Sequence, residues 1–207
     1  MKVAVLGASG HVGRRVVEIL RARGHFVYAA VREVPSDTQA SVAYTAVDIY
    51  HPEDIQQLIA KADVVMSCLG SWGTKRQDVL TVAMTHLVPA MNTRQISRII
   101  SLTGADAWVK GERHNVIQKT MHTVLKIIAP QVLQDGEKHI EILRRSGLDW
   151  TVVRSPVMNE TGTTNYTLSK THPTPWATIH RRAVATAMCD LAENNQNTSD
   201  APFITRQ

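Results

Sequence analysis

The run Gly7-Ala8-Ser9-Gly10-His11-Val12-Gly13 constrains this chain more than any other stretch, because of what lies on either side of it. It follows Lys2 to Leu6, an apolar run with the length of a buried strand. It opens onto Val12 to Arg23, whose apolar spacing is that of an amphipathic helix closed by Gly24. Three glycines at this spacing have separate tasks. Gly7 makes the tight turn off the strand, Gly10 lets the backbone approach a pyrophosphate with no Cβ in the way, and Gly13 permits close packing of helix on strand. The backbone amides at the helix start then face an anion, which places Gly7, Ser9, Gly10, His11, Val12 and Gly13 at a dinucleotide diphosphate. The bland alternative is a strand-to-helix turn with no ligand; strand, turn, helix and second strand in register favour the ligand.

The rest of the chain repeats the same rhythm, which predicts an α/β fold of the Rossmann type. The expected form is a doubly wound parallel sheet in a single domain over residues 1–207, with a small C-terminal extension on the substrate side. Strands are expected at Phe26 to Val31, Val42 to Val47, Asp63 to Cys68, Ile96 to Leu102, Trp150 to Val153 and Phe203 to Thr205. Helices are expected at Pro52 to Ala60, Arg76 to Met91, Glu112 to Arg145 with an interruption at Pro130, and His180 to Glu193. Residues 155–178, rich in Pro, Thr, Asn and Gly, read as substrate-side loops with a short strand around Tyr166. A polar Asn-Gln-Asn-Thr-Ser turn at 195–199 precedes the last strand.

Composition excludes several classes of partner. The net charge of +5 could attract anions, but the basic residues are scattered and not interleaved with aromatics, so no nucleic-acid partner is expected. No apolar run approaches the length of a membrane span or a signal segment, so no membrane partner is expected either. Cys68 and Cys189 share no short spacing and the nine histidines are dispersed. The expectation is a cytoplasmic, reducing setting with neither disulfide nor metal site. A monomer or a homodimer is the expected state.

The nucleotide is chosen at the end of the second strand, about twenty residues past the glycine turn, where a carboxylate would bind a ribose 2′-hydroxyl and an arginine a 2′-phosphate. Arg32 stands there, and its guanidinium can clamp a phosphate through two hydrogen bonds. NADP is therefore favoured, and Glu33, one residue on, leaves NAD open.

These residues resemble the atypical short-chain dehydrogenase/reductases with an NAD(P)H-binding, NmrA-like domain, a group that includes biliverdin reductase B-like flavin reductases. The resemblance rests on Val5 to Gly13, Val31-Arg32, Val47-Asp48-Ile49 and Ser67-Cys68-Leu69-Gly70. Looser matches are Ile100 to Gly104, Ser146 to Arg154 with Pro156, and Ile179 to Met188. It implies that Asp48 and Ile49 lie beside the adenine, that Leu69 and Gly70 pass the ribose, and that Pro156, Val157 and Met158 border the nicotinamide. Read without the family, Asp48 is a loop residue before a helix, Gly70 a turn and Pro156 a strand terminator.

Many short-chain dehydrogenases move a proton with a tyrosine four residues before a lysine. Tyr166 and Lys170 have that spacing but fall after the sixth strand, away from the helix that should carry them, so they are read as a chance match. Gly136 stands where relatives often carry a lysine or histidine beside the substrate. Lys138 and His139 are displaced from it around the helix, and His139 is expected at a surface or interface. Ser101 and Thr103, at the end of the fifth strand, remain as candidates to orient a substrate, or else as simple turn caps. An acceptor that draws its proton from water needs no protein acid. The favoured activity is therefore NADPH-dependent reduction of a small planar acceptor such as a flavin or quinone, with Trp72, Trp108, Met158 and Trp176 as candidates for an apolar wall. A non-catalytic NADP sensor is the second reading. A sugar-nucleotide epimerase-like enzyme is the third, and the missing tyrosine counts against it.

Overall fold

Val3 to Leu6 are buried on both sides, as a central strand between two helical layers requires. The computed structural model, which describes residues 1–36, 39–194 and 198–207, places this strand, β1 (Lys2–Leu6), inside an eight-stranded sheet. In chain order follow α1 (Gly13–Ala22), β2 (Phe26–Val31), β3 (Val42–Ala46), α2 (Pro52–Leu58), β4 (Val64–Ser67), α3 (Val79–Thr93) and β5 (Arg98–Gly104). The second half comprises α4 (Val116–Ile128), α5 (Pro130–Arg144), β6 (Asp149–Ser155), β7 (Val157–Asn159), β8 (Tyr166–Ser169), β9 (Thr178–His180), α6 (Arg181–Asn194) and β10 (Phe203–Arg206).

The sheet order is β3-β2-β1-β4-β5-β6-β10-β8. Neighbours from β3 to β10 pair parallel, and β8 closes the edge antiparallel to β10. The order turns back between β1 and β4, which is the switch point where such sheets open a crevice at their carboxyl ends. Alternate residues feed two cores. Val3 and Val5 pack with α1 and α6 on one face, while Ala4 and Leu6 pack with α2, α3 and α5 on the other. The expected doubly wound Rossmann-type sheet is thus observed.

Local chemistry explains the boundaries. Gly24 has φ +81°, and the amides of Gly24 and His25 bond back to the carbonyls of Arg21 and Leu20, closing α1 in a left-handed cap. The third helix begins at Val79 rather than at Arg76, because the residues before it are held elsewhere. The Arg76 guanidinium lies 3.4 Å over the Tyr50 ring, and the Tyr50 hydroxyl donates to Asp78 at 2.7 Å. Pro130 splits the long helical stretch into α4 and α5, with Ala129 outside the helical region before it at φ −142°, ψ 54°.

Two strands went unforeseen. β7 and β9 form a small parallel sheet of their own between residues 157 and 180, ahead of α6, built from pairings too short to leave a periodic signal. The first three residues of the polar turn at 195–199 lie outside the described residues. Among the described residues, no helix is long and apolar enough to cross a membrane.

Candidate functional site

The glycine turn sits at the carboxyl end of β1, and the backbone shows why each glycine is there. Gly7 has φ +71°, a region costly for residues with a Cβ, and a Cβ there would stand 3.0 Å from the Cys68 carbonyl oxygen. A Cβ on Gly13 would lie 2.0 Å from the Gly7 carbonyl oxygen, so the helix approaches the strand to backbone contact. The turn is braced by the Gly10 amide on the Gly7 carbonyl and the Ala8 amide on the Ala30 carbonyl. Among the described residues no side chain caps the N-terminus of α1, its first turn holds no acid, and Ser9, Gly10 and His11 are exposed. Uncapped amides in a positive helix-end field form a cradle for an anion, and these residues fit a dinucleotide diphosphate.

The other residues expected at a nucleotide are arranged around this turn. Arg32 and Glu33 are exposed just past β2, and Arg32 makes no ion pair among the described residues. Asp48 follows β3, where its carboxylate accepts the Tyr50 amide at 3.0 Å and its own amide donates to Asp54 at 2.9 Å. This is the local loop bonding expected of an aspartate before a helix. Ile49 packs against the core beneath it. Leu69 and Gly70 leave β4 beside Gly7, and Pro156, Val157 and Met158 leave β6 across the crevice. The chain folds across the cradle's flank through Glu160, which takes Arg15 of α1 at 2.6 Å and Arg181 of α6 at 2.8 Å.

Leu69, Gly70 and residues 156–158 share a cavity of about 460 Å³ at the carboxyl ends of β4, β5 and β6. Thr103 lines it, together with Trp72, Leu102, Leu125 and Leu133. Among the described residues, no tyrosine, histidine, lysine or cysteine lines it; its titratable groups are Asp106 and Arg181. Of the four residues proposed for an apolar wall, Trp72 and Met158 line this cavity, whereas Trp176 is exposed. Trp108 belongs elsewhere. Its indole is stacked between the rings of His114 and His122, each at 3.7 Å, so it cannot present a face to a ligand in this cavity.

His139 corrects the sequence reading. Expected at a surface or interface, it is fully buried against β5, because α5 turns its face inward every third or fourth residue and positions 136, 139, 140 and 143 share that face. Its Nδ1 lies 3.3 Å from the Gly136 carbonyl, which can only accept, so Nδ1 carries the proton and Nε2 accepts from the Ser101 hydroxyl at 2.8 Å. Burial pushes the imidazole down to about 4, against the smaller opposing effects of the Gly136 carbonyl and Asp135. The ring is neutral at physiological pH and locks Ser101, itself fully buried. Ser101 and Thr103 thus differ: the first is turned to His139, the second to the cavity. A Cβ on Gly136 would lie 2.7 Å from the Thr103 Oγ1, so the residue missing from this position would stand directly against Thr103.

Two buried charges were not legible in the sequence. Asp135 accepts the amides of Leu80 and Thr81 at 3.0 and 2.8 Å and the hydroxyl of Ser71. A carboxylate from α5 therefore caps α3, whose own Asp78 is engaged with Tyr50, and steadies the loop after β4 that carries Gly70 and Trp72. Arg154, 1% exposed, meets Glu112 through both guanidinium ends at 2.7 and 2.5 Å and lies 3.7 Å over the Phe203 ring. Burial raises the Glu112 carboxyl, but Arg154 and the Val109 amide together hold it below its usual range. The spacing of acid and base along the chain announces neither contact.

The tyrosine and lysine at proton-relay spacing are occupied on β8 and after it. Tyr166 donates to Asp190 at 2.5 Å, and Lys170 pairs with Asp200. Burial and the Asp190 hydrogen bond push the phenol up, the opposite of what a proton-transfer tyrosine needs. Burial also pushes the Cys68 thiol, beside the glycine turn, up to about 12, so it is no thiolate nucleophile.

Comparison with known proteins agrees with this geometry. Residues 7–195 match the family described as NAD(P)H-binding. The uncharacterized protein Rv2047c of Mycobacterium tuberculosis is 32% identical over 101 residues, which are 48% of this chain but 12% of that much longer protein. A short-chain dehydrogenase/reductase of Veillonella parvula, solved in complex with NADP, superposes with a TM-score of 0.81 at 18% identity over 99% of this chain and 94% of that one. A candidate NADH-flavin reductase of Streptococcus pneumoniae superposes with a TM-score of 0.73 at 20% identity over 100% of both chains. At these identities the structural likeness is one of fold.

Proposed function

Because the chain belongs to the NAD(P)H-binding family, we propose that it is an NADPH-dependent oxidoreductase acting on a small planar acceptor, a flavin or a quinone, as an atypical, NmrA-like short-chain dehydrogenase/reductase. The observation that carries this reading is the cavity beside the glycine cradle, which has apolar walls and no tyrosine, histidine or lysine among its described lining residues. When bound, the reduced nicotinamide supplies a hydride. The protein's part is to hold the acceptor flat and close to that donor, and to keep bulk water away during transfer.

The residues divide that work. The amides from Ser9 to Gly13, with Gly7, hold the diphosphate; Arg32 takes the 2′-phosphate; Asp48 and Ile49 flank the adenine side. Leu69, Gly70 and residues 156–158 border the ribose and nicotinamide. Thr103 donates a hydrogen bond to an acceptor carbonyl, while Ser101, held by His139, keeps β5 and α5 in register beneath it. A flavin or quinone that takes its proton from water requires no acid at Gly136. The fold's likeness to a structure holding NADP and to a candidate flavin reductase supports this choice. Two cysteines free of disulfides fit a cytoplasmic setting, where NADPH is abundant.

The test is NADPH consumption with flavin and quinone acceptors, run beside equilibrium binding of NADP and NAD. Turnover is the expected result. Tight binding with no turnover across a broad acceptor panel would instead mark a nucleotide sensor, a reading favoured by the same lack of an acid at Gly136. Arg32→Ala is expected to weaken NADP roughly ten- to hundredfold, the worth of a lost charge-assisted contact, and to leave NAD nearly unchanged. Equal loss for both nucleotides would show that Arg32 does not choose between them.

A further inference from the structure

α4 is built the wrong way round for a core helix. None of its residues is buried, and its most apolar sector points outward: Val116 is 79% exposed, Ile127 78% and Ile128 68%, with Ile117 and Val124 also exposed. At 100° per residue these five side chains occupy one broad outer sector, while Lys119 and Lys126, seven residues apart, form a basic edge along its flank. The helix contains no acidic residue. Lys110 and Arg113 in the loop before it are exposed as well, and the acid of that loop, Glu112, is consumed by Arg154.

Three other exposed apolar side chains, Trp72, Val157 and Trp176, lie at or beside cavities that α4 also borders. Trp72 and Val157 line the cavity described above together with Leu125 of α4. Gln118 and Met121 of α4 line a smaller cavity with Pro175 and Ala177, the neighbours of exposed Trp176. An apolar surface rimmed by lysine and tryptophan matches the chemistry of an interfacial helix.

We propose that α4 is a membrane-surface helix, which lays its Val116, Ile117, Val124, Ile127 and Ile128 face into the headgroup boundary of an anionic bilayer and brings the cavity mouth to the lipid. A twofold contact with a second copy would set Lys119 and Lys126 near their own counterparts with no carboxylate on the helix to meet them. An anionic lipid surface complements both the apolar sector and the basic edge. The sequence expectation of no membrane partner rested on span length, and adsorption of a helix thirteen residues long needs no span. Docking here, taken with the reductase reading, narrows the acceptor to one dissolved in lipid, such as a quinone with an apolar tail.

The full chain, without nucleotide, is to be floated with vesicles of phosphatidylcholine alone and of phosphatidylcholine with phosphatidylglycerol. Binding to the anionic vesicles, weakening as salt rises, is the expected result. Lys119→Glu with Lys126→Glu is expected to reduce it about tenfold or more, and Ile117→Asp with Ile127→Asp to remove it, with melting temperature unchanged because the altered side chains are exposed. Absence of vesicle binding overturns the proposal. So does a dimer seen by light scattering that the isoleucine variant dissolves while vesicles are ignored, since the face would then be covered by a second copy. With a quinone carried in vesicles, the isoleucine variant is expected to lose NADPH oxidation while keeping it with a water-soluble quinone. No oxidation of either acceptor by the unaltered protein would defeat the reductase reading and leave vesicle binding standing.

Discussion

Gly13→Ala is expected to destabilise the protein by about 3 kcal/mol or more and to abolish nucleotide binding, because it brings the closest approach of any Cβ added at a glycine of this chain. The added Cβ would stand 2.0 Å from the Gly7 carbonyl oxygen, 2.8 Å from its carbon and 2.9 Å from the Ala8 Cα. All three are backbone atoms of the turn itself, so no rotamer change relieves the overlap. Either α1 moves off β1, opening the core beneath Val16 and Leu20, or the turn distorts and its amides lose their common aim. Both routes damage the cradle. A Gly24→Ala control separates the causes: Gly24 also bears a positive φ but has nothing within 4 Å of its Cβ position, so only the milder conformational penalty is expected there. Urea denaturation of the two variants measures the difference. Equal stability for Gly13→Ala and the unaltered protein would mean that α1 does not pack on β1 at the contact described.

Acidification is expected to cost on the order of 3 kcal/mol of stability through His139 alone. Its folded pKa is held near 4 against the ordinary 6.5. Between those values the unfolded chain binds a proton at this ring and the folded protein does not. The contribution is therefore fully present above about pH 6.5 and is lost progressively as pH falls toward 4. Protonation would also put a hydrogen on Nε2, facing a Ser101 hydroxyl that then has to turn and accept. His139→Gln, whose side-chain oxygen can still accept from Ser101, is expected to lower stability at neutral pH and to flatten the slope between pH 6.5 and 4. Denaturation across that range, with both proteins measured side by side, checks it. An unchanged slope in the variant would show that another group governs acid stability.

What could be read without coordinates follows from how locally each feature is encoded. The glycine turn, α1 with its Gly24 cap, the parallel order of the first strands and Arg32 after β2 all depend on residues within a few positions of one another. Their spacing carries the information. The discounting of Tyr166 and Lys170 also stands, since both are occupied by partners on α6 and before β10. His139 went the other way. Its displacement from Gly136 by three positions suggests an outward side chain, yet three residues is nearly one helical turn, so the two share a face. The helical period by itself places His139 beside Gly136. Trp108 was not predictable in the same sense, because the rings that enclose it come from a loop and from α4.

By itself, the sequence determined the fold class and the cradle at the start of α1, because strand, turn and helix are dictated by side-chain periodicity and by the steric freedom of glycine, both local properties. Only the tertiary structure decided which buried polar groups meet. The Asp135 cap on α3, the Arg154 pair with Glu112 and the Ser101 bond to His139 join residues 38 to 55 positions apart. Such pairings depend on how helices settle on the sheet. The outward apolar face of α4 belongs with them: the sequence predicts a helix here, but which side of it meets the protein is set by the packing around it.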